Sequence, residues 1–340
     1  MSKDRLAGNE VHILKLSVSE DKGVQYRCVP SLAREGDDTP NSRAGHSTCV
    51  IDNKIIMFGG YGDAEKKEPL KEKGRVWIFD PATLEWTHLD AINKTFPVRY
   101  DHATVAHGQA IIIHGGFSTN DASHPETDTW SFSLATRTWT ELSALNTLAG
   151  SALIHGSAPP NFAIANEKLY LISGTSDLTS QIHILDLAAE APIEWTTLEF
   201  PTNPLTPGPR PRKGAGLIPI KTGWGRTYLL LMLGAKDGTE SIEDAKEELQ
   251  FWSGLWTLQL PSTEKTPASA KDVARKAIGA GSGEAEWAEV EIVPREELVS
   301  TQGKSHPGPR AYFASAAVDG KKVICGAVST PKARLRPMLG

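Results

Sequence analysis

Apolar positions along the chain come in short runs of β-branched and aromatic residues, broken by turn residues, and no long stretch keeps a helical period. Five such runs close in small residues. They are Ile55-Ile56-Met57-Phe58 before Gly59-Gly60, Ile111-Ile112-Ile113-His114 before Gly115-Gly116, and Leu169-Tyr170-Leu171-Ile172 before Ser173-Gly174. Leu231-Met232-Leu233 before Gly234-Ala235 and Val323-Ile324-Cys325 before Gly326-Ala327 complete the set. Turn signals such as Asp52-Asn53-Lys54, Asp80-Pro81 and Asp319-Gly320-Lys321 separate these runs from their neighbours, so the pattern predicts many short antiparallel strands.

The pattern repeats. Trp86-Thr87-His88-Leu89, Trp139-Thr140-Glu141-Leu142, Trp195-Thr196-Thr197-Leu198 and Trp287-Ala288-Glu289-Val290 share one plan, and Tyr26-Arg27-Cys28-Val29 carries Tyr in place of Trp. Upstream of each lies a second column: His12, Trp77, Trp130, His183 and Trp256, with steps of 53 residues from Trp77 to Trp130 and from Trp130 to His183. Periods near 50 residues are the mark of propellers and arrays. Each copy reads as four short strands. Such a sheet cannot bury both faces alone, so copies stack face to face around an axis with tryptophans between them, which is a β-propeller.

The Gly-Gly pair ending strand two, the later Trp, and the strand-one openings Arg43-Ala44-Gly45-His46 and Arg99-Tyr100-Asp101-His102 resemble the kelch-repeat family over roughly residues 11–328. The resemblance implies an all-β kelch β-propeller in a single domain, with blades near 43–90, 97–143, 155–199 and 210–292. A fifth, composite blade is expected from residues 309–328 and 11–30, closing the ring with strands from both chain ends. The alternative is a truncated six-bladed propeller, because kelch propellers usually have six or seven blades.

Composition narrows the setting. A net charge of −5 from 36 basic and 41 acidic residues, with both signs mixed along the chain, gives no basic stripe for nucleic acid. No apolar run reaches 18 residues, and the charged start Met1–Arg5 precedes no apolar signal region, so neither membrane nor secretion is expected. Three scattered cysteines, Cys28, Cys49 and Cys325, suit neither a disulfide framework nor a structural zinc site, and the expected home is a reducing cytoplasm, as a monomer.

Loop lengths select the functional face. In a four-stranded meander the loops from strand two to strand three and the links between blades emerge on one side. Residues 61–75, 117–128, 236–251 and 201–211 are long there, and long loops on a rigid frame carry binding. Two segments are extra to the repeat: 62–74, rich in Lys and Glu, and 261–283, in which a helical turn near 270–278 is expected. The same face should carry Arg43, Arg99, Arg212 and Arg310, which open strand one, while Ser157 stands at that position in blade three. A guanidinium offers a planar fork of donors to a carboxylate. The ligand-binding candidates are these four arginines with His46, His102, Tyr61 and Phe117; equally, the arginines can hold blades together through carbonyls. Trp77, Trp130 and Trp256 are expected as packing between blades.

Signals for catalysis are few. A copper radical oxidase of the galactose oxidase type needs an adjacent Tyr-His pair, and Tyr100-x-His102 does not supply it. The size and layout resemble the specifier-protein group of kelch propellers, which redirect glucosinolate breakdown with ferrous iron bound by a Glu-x3-Asp-x3-His motif. Glu240, Asp244 and Glu248 keep that spacing with Glu in place of His, and they are the metal candidates. No nucleophile motif stands out. The reading is therefore a non-enzymatic binding module without cofactor that engages a partner protein or an anionic small molecule. The alternative is a specifier-like, iron-assisted enzyme with lyase- or isomerase-type activity.

Overall fold

The computed structural model describes residues 8–15, 25–63, 65, 68–119, 125–145, 160–176, 179–190, 193–201, 208–223, 225–235, 251–262, 266–279, 286–291, 308, 310–318 and 322–326. The chain divides into two compact units, Met1–Asn146 and Thr147–Gly340. Each is built mainly from four-stranded antiparallel sheets of the kind expected for propeller blades.

In the first unit, β1 (Val11–Lys15) and β2 (Gln25–Val29) form a two-stranded sheet, and β3 (Leu32–Ala33) follows. Blade one consists of β4 (Ser47–Ile51), β5 (Lys54–Phe58), β6 (Val76–Asp80) and β7 (Glu85–Leu89). The β4–β5 hairpin turns through Asp52 and Asn53, whose φ values of 49° and 61° suit the tight two-residue turn read from the sequence. Parallel pairing of β3 with β7 was not foreseen. It adds a fifth strand that caps the outer edge of the blade and leaves fewer unpaired backbone groups there. Blade two is β8 (Ala103–His107), β9 (Ala110–His114), β10 (Asp128–Ser133) and β11 (Thr138–Ala144).

In the second unit, blade three is β12 (Asn161–Ala165), β13 (Lys168–Ser176), β14 (Thr179–Asp186) and β15 (Trp195–Pro201). Blade four is β16 (Gly216–Lys221), β17 (Thr227–Met232), β18 (Leu255–Gln259), an inserted helix α1 (Pro267–Ala277) and β19 (Trp287–Glu289). A two-stranded sheet of β20 (Ala314–Val318) and β21 (Lys322–Gly326) ends the described residues. The terminal strand pairs read from the sequence are thus each present as a two-stranded sheet.

Packing follows the tryptophan columns. Trp130, Phe132 and Trp139 of blade two bury against Ile56, Phe58 and Val76 of blade one, and Trp256 and Leu258 of blade four bury against Tyr170, Ile172 and Ile182 of blade three. Trp77 packs with Met57, Phe79 and Trp86, with Val11 against them. The expectation that the upstream column serves packing therefore holds at its three tryptophans.

The double glycines mark where a neighbouring backbone lands. Gly59 has φ +69°, and a Cβ there would lie 2.4 Å from the Arg99 carbonyl oxygen, while Gly60 N–H donates to that same oxygen at 2.8 Å. Gly234 donates to the Arg310 carbonyl at 2.8 Å in the same manner. At these two junctions the segment that opens the next strand pair is thereby fixed by the preceding blade. Among the described residues no helix is long and apolar enough to cross a membrane.

Candidate functional site

Arg43 precedes β4 and folds back over blade one. Its Nε donates to the Asn41 carbonyl at 3.1 Å and its Nη1 to the Gly59 carbonyl at 3.0 Å, while Nη1 and Nη2 grip the Glu72 carboxylate at 2.8 and 2.7 Å. Trp77 Nε1 donates to the same carboxylate at 3.2 Å, and the guanidinium stands 5.7 Å from the Trp77 ring centroid. The Arg43 side chain is 3% exposed. Blade two repeats the device with a different acid: Arg99 Nη2 pairs with Asp128 Oδ2, which also accepts from Trp130 Nε1 at 2.6 Å. Two of the four candidate arginines thus carry an internal carboxylate.

The histidines of this unit are internal. His102 is 1% exposed, with Nε2 2.6 Å from Ser47 Oγ. Burial, then the nearby Arg99 and His46, push its pKa down to about 3, which keeps the ring neutral at physiological pH. Burial and Arg43 lower that of His46 as well. Phe117 is 2% exposed and lies 5.4 Å from Tyr100, which meets the Tyr61 ring edge-on at 5.4 Å. Of these three rings Tyr61 is the half-exposed one, and burial together with Asp101 raises its pKa. Phe117 therefore packs beneath the face, under Tyr100.

A cleft of about 540 Å³ opens in the first unit between the two-to-three loops of blades one and two and the link joining those blades. It is lined by Glu68, Pro69, Lys71 and Lys73 from the first loop, Phe96 and Val98 from the link, and Ser118 and Thr119 from the second loop. Local sequence explains the lining. The first loop turns back where Tyr61 bridges Pro69 and Leu70 N–H donates to the Gly60 carbonyl at 2.8 Å. Beyond that point Lys71-Glu72-Lys73 alternates, so Glu72 reaches inward to Arg43 and both lysines stay exposed. The cleft thus combines an apolar floor with two ammonium groups and two hydroxyls, a lining suited to an extended segment bearing carboxylates and apolar side chains.

In the second unit Arg212 is 5% exposed. Its Nε donates to the Arg210 carbonyl at 3.0 Å, and its Nη1 donates to Leu233 at 2.9 Å and Gly254 at 3.3 Å. Arg310 is half-buried, and its backbone is held by Gly234. Ser157 and the metal candidates Glu240, Asp244 and Glu248 lie outside the described residues. Among the described residues no three His, Cys, Asp or Glu side chains gather as a metal site would require. Lys71 and Lys73 were missed at the sequence level. The available signal was their alternation with an acid just before Trp77, in a loop already singled out for its length.

The KLHDC2/KLHL20/DRC7 Kelch-repeats domain family matches residues 2–174 of this chain. The chain is 30% identical over 186 residues to acyl-CoA-binding domain-containing protein 4 of Arabidopsis thaliana, covering 53% of this chain and 25% of that protein. It is 25% identical over 174 residues to kelch domain-containing protein 3 of Bos taurus, covering 48% of this chain and 43% of that protein. With the human protein of the same name it shares 26% over 168 residues, 46% of this chain and 41% of the relative. The chain thus spans from a quarter to less than half of the length of these relatives.

Proposed function

The chain belongs to the kelch-repeat family, and we propose that it acts as a protein-binding module whose cleft between blades one and two takes an acidic segment of a partner. The observation that carries this reading is the exposed Lys71 and Lys73 beside the apolar wall of Phe96, Val98 and Pro69, on the face that the long loops build. Arg43 and Arg99 serve the site from behind. By holding Glu72 and Asp128 inside their blades they fix the loop that presents the lysines and the strand beside the second loop. The two lysines supply attraction and orientation at an exposed rim, where charge acts most on encounter and is screened by salt.

A fluorescent octapeptide alternating Glu and Leu, titrated into the full chain, tests the reading by anisotropy. Lys71→Glu with Lys73→Glu is expected to weaken binding about tenfold, equivalent to about 1.4 kcal/mol, with the thermal midpoint unchanged. Raising salt is expected to weaken the original chain more than the variant. Equal affinity of the two chains for the peptide would overturn the reading.

A further inference from the structure

Arg43 in blade one and Arg212 in blade four occupy the same frame of backbone carbonyls. Arg43 donates from Nε to the carbonyl two residues before it, Asn41, and from Nη1 to Gly59 just past β5. Arg212 donates from Nε to the carbonyl two residues before it, Arg210, and from Nη1 to Leu233 just past β17. Arg43 stands over Trp77 of its blade's third strand, whereas Arg212 stands over Trp252, four residues before Trp256 of the third strand. The frames differ in the acid. Glu72 bridges Arg43 and the Trp77 indole N–H, and Asp128, two residues before Trp130, bridges Arg99 and the Trp130 indole N–H.

Two residues before Trp256 stands Gly254, which has no side chain to do this. The Trp256 Nε1 lies 2.9 Å from where a Gly254 Cβ would be and Arg212 Nη1 reaches the Gly254 carbonyl at 3.3 Å, so both donors converge on one residue, with Oε1 of Glu289, the cross-strand partner of Trp256, 3.9 Å from that same Cβ point. Among the described residues Arg212 makes no ion pair; the acid whose field reaches it is exposed Glu289, at the edge of the same site and bonded to neither donor. Burial accordingly lowers the Arg212 pKa to about 10. A guanidinium this buried without an acid partner is costly, and a carboxylate arriving between such donors forms charge-assisted bonds and removes that cost. Trp252 lines the approach, with its ring 5.8 Å from the Arg212 guanidinium and 5.6 Å from that of exposed Arg210, so a second cation stands at the entrance.

We propose that Arg212 and Trp256 of blade four form a carboxylate-binding site, in which an external carboxylate takes the bridging place that Glu72 and Asp128 fill in blades one and two. The site lies in the second unit and shares no residue with the cleft proposed above.

The test follows the indole N–H resonances of the full chain labelled with 15N-tryptophan, with Trp256 assigned by its loss in Trp256→Phe. Succinate and N-acetyl-aspartate amide are added at constant ionic strength, with N-acetyl-asparagine amide as the neutral isostere. Saturable shifts of Trp256 and Trp252 with the two acids, and none with the amide, are expected. Tighter succinate binding assigns the site to small dicarboxylates, and tighter N-acetyl-aspartate amide binding assigns it to acidic side chains of a polypeptide. Arg212→Gln is expected to weaken the response at least about tenfold. Should that variant fail to fold, Trp256→Phe keeps the ring, removes the donor, and is expected to weaken the Trp252 response about fivefold. Lys71→Glu with Lys73→Glu is expected to leave both shifts intact, which separates this site from the cleft. No saturable shift, equal shifts with the neutral amide, or a full response in folded Arg212→Gln would overturn the proposal.

Discussion

Blades one and four hold the same arginine in the same carbonyl frame, with an acid beside it in one and a glycine in the other. The comparison separates two jobs that the residue performs. Bonds to carbonyls tie the start of strand one to the end of strand two, and they are present in both blades, so they belong to the fold. The carboxylate changes position in sequence between Glu72 and Asp128 and is replaced by Gly254 in blade four, so it is separable from the fold. The largest expected effect follows from this difference. Arg43→Met leaves Glu72 partly buried without its cation and is expected to cost about 3 kcal/mol. Arg212→Met removes a buried charge that has no acid partner, along with three carbonyl bonds, and is expected to cost about 1 kcal/mol. Urea unfolding of both variants checks the contrast, and equal losses would show that the carbonyl frame alone sets stability.

Acidification probes a second pair. His102 of blade two is held to a pKa of about 3, and His183 of blade three, bonded between Ser173 Oγ at 2.7 Å and Thr197 Oγ1 at 2.8 Å, to about 4, burial being the first cause in both. Their folded values lie below the ordinary 6.5, so the unfolded chain takes up protons first as pH falls. Stability is fully present above about 6.5 and is lost progressively toward the folded values, at about 1.4 kcal/mol per pH unit for each histidine. Unfolding free energies measured between pH 7 and 4.5 should show this slope, and His102→Gln should remove about half of it. A slope unchanged in that variant would assign the acid sensitivity elsewhere.

The fold was legible because it is written in repeated, local signals. Spaced tryptophans, strand-length apolar runs and two-residue turns recur, and each repeat confirms the others, so blades one to four and both terminal strand pairs were placed from sequence. The site was legible only in part. Loop length pointed to the face of the first unit on which the candidate cleft lies, but linear spacing cannot tell which loop residues turn inward. Glu72 and Lys73 look alike in sequence as solvated charges, and only the return of the loop at Pro69 sends one to Arg43 and leaves the other exposed. Phe117 reads as a loop aromatic until its packing on Tyr100 is seen. The pairing of β3 with β7 was invisible because two residues carry no periodicity.

Helix α1 gives the smallest expected effect and the closest local test, since it was read as a helical turn inside a solvated insertion. It starts with a reciprocal cap, in which Ser269 N–H donates to Thr266 Oγ1 at 3.1 Å and Thr266 N–H to Ser269 Oγ at 2.9 Å, with Pro267 at the first helical position. Its described residues are mostly exposed, Val273 included, as is Ile278 just beyond its end, and it is anchored by Asp272, 3% exposed and paired with Arg226 of the segment opening β17. The ion pair and hydrogen bonds of one buried carboxylate, rather than an apolar stripe, therefore hold the helix to blade four. Thr266→Ala should cost about 1 kcal/mol and act only on the helix. Hydrogen exchange should then quicken over residues 269–278 while the amides of β17 and β18 keep their protection. Loss of protection in those strands as well would mean that the insertion and the blade open as one unit, and that the helix supports blade four as strand β3 supports blade one.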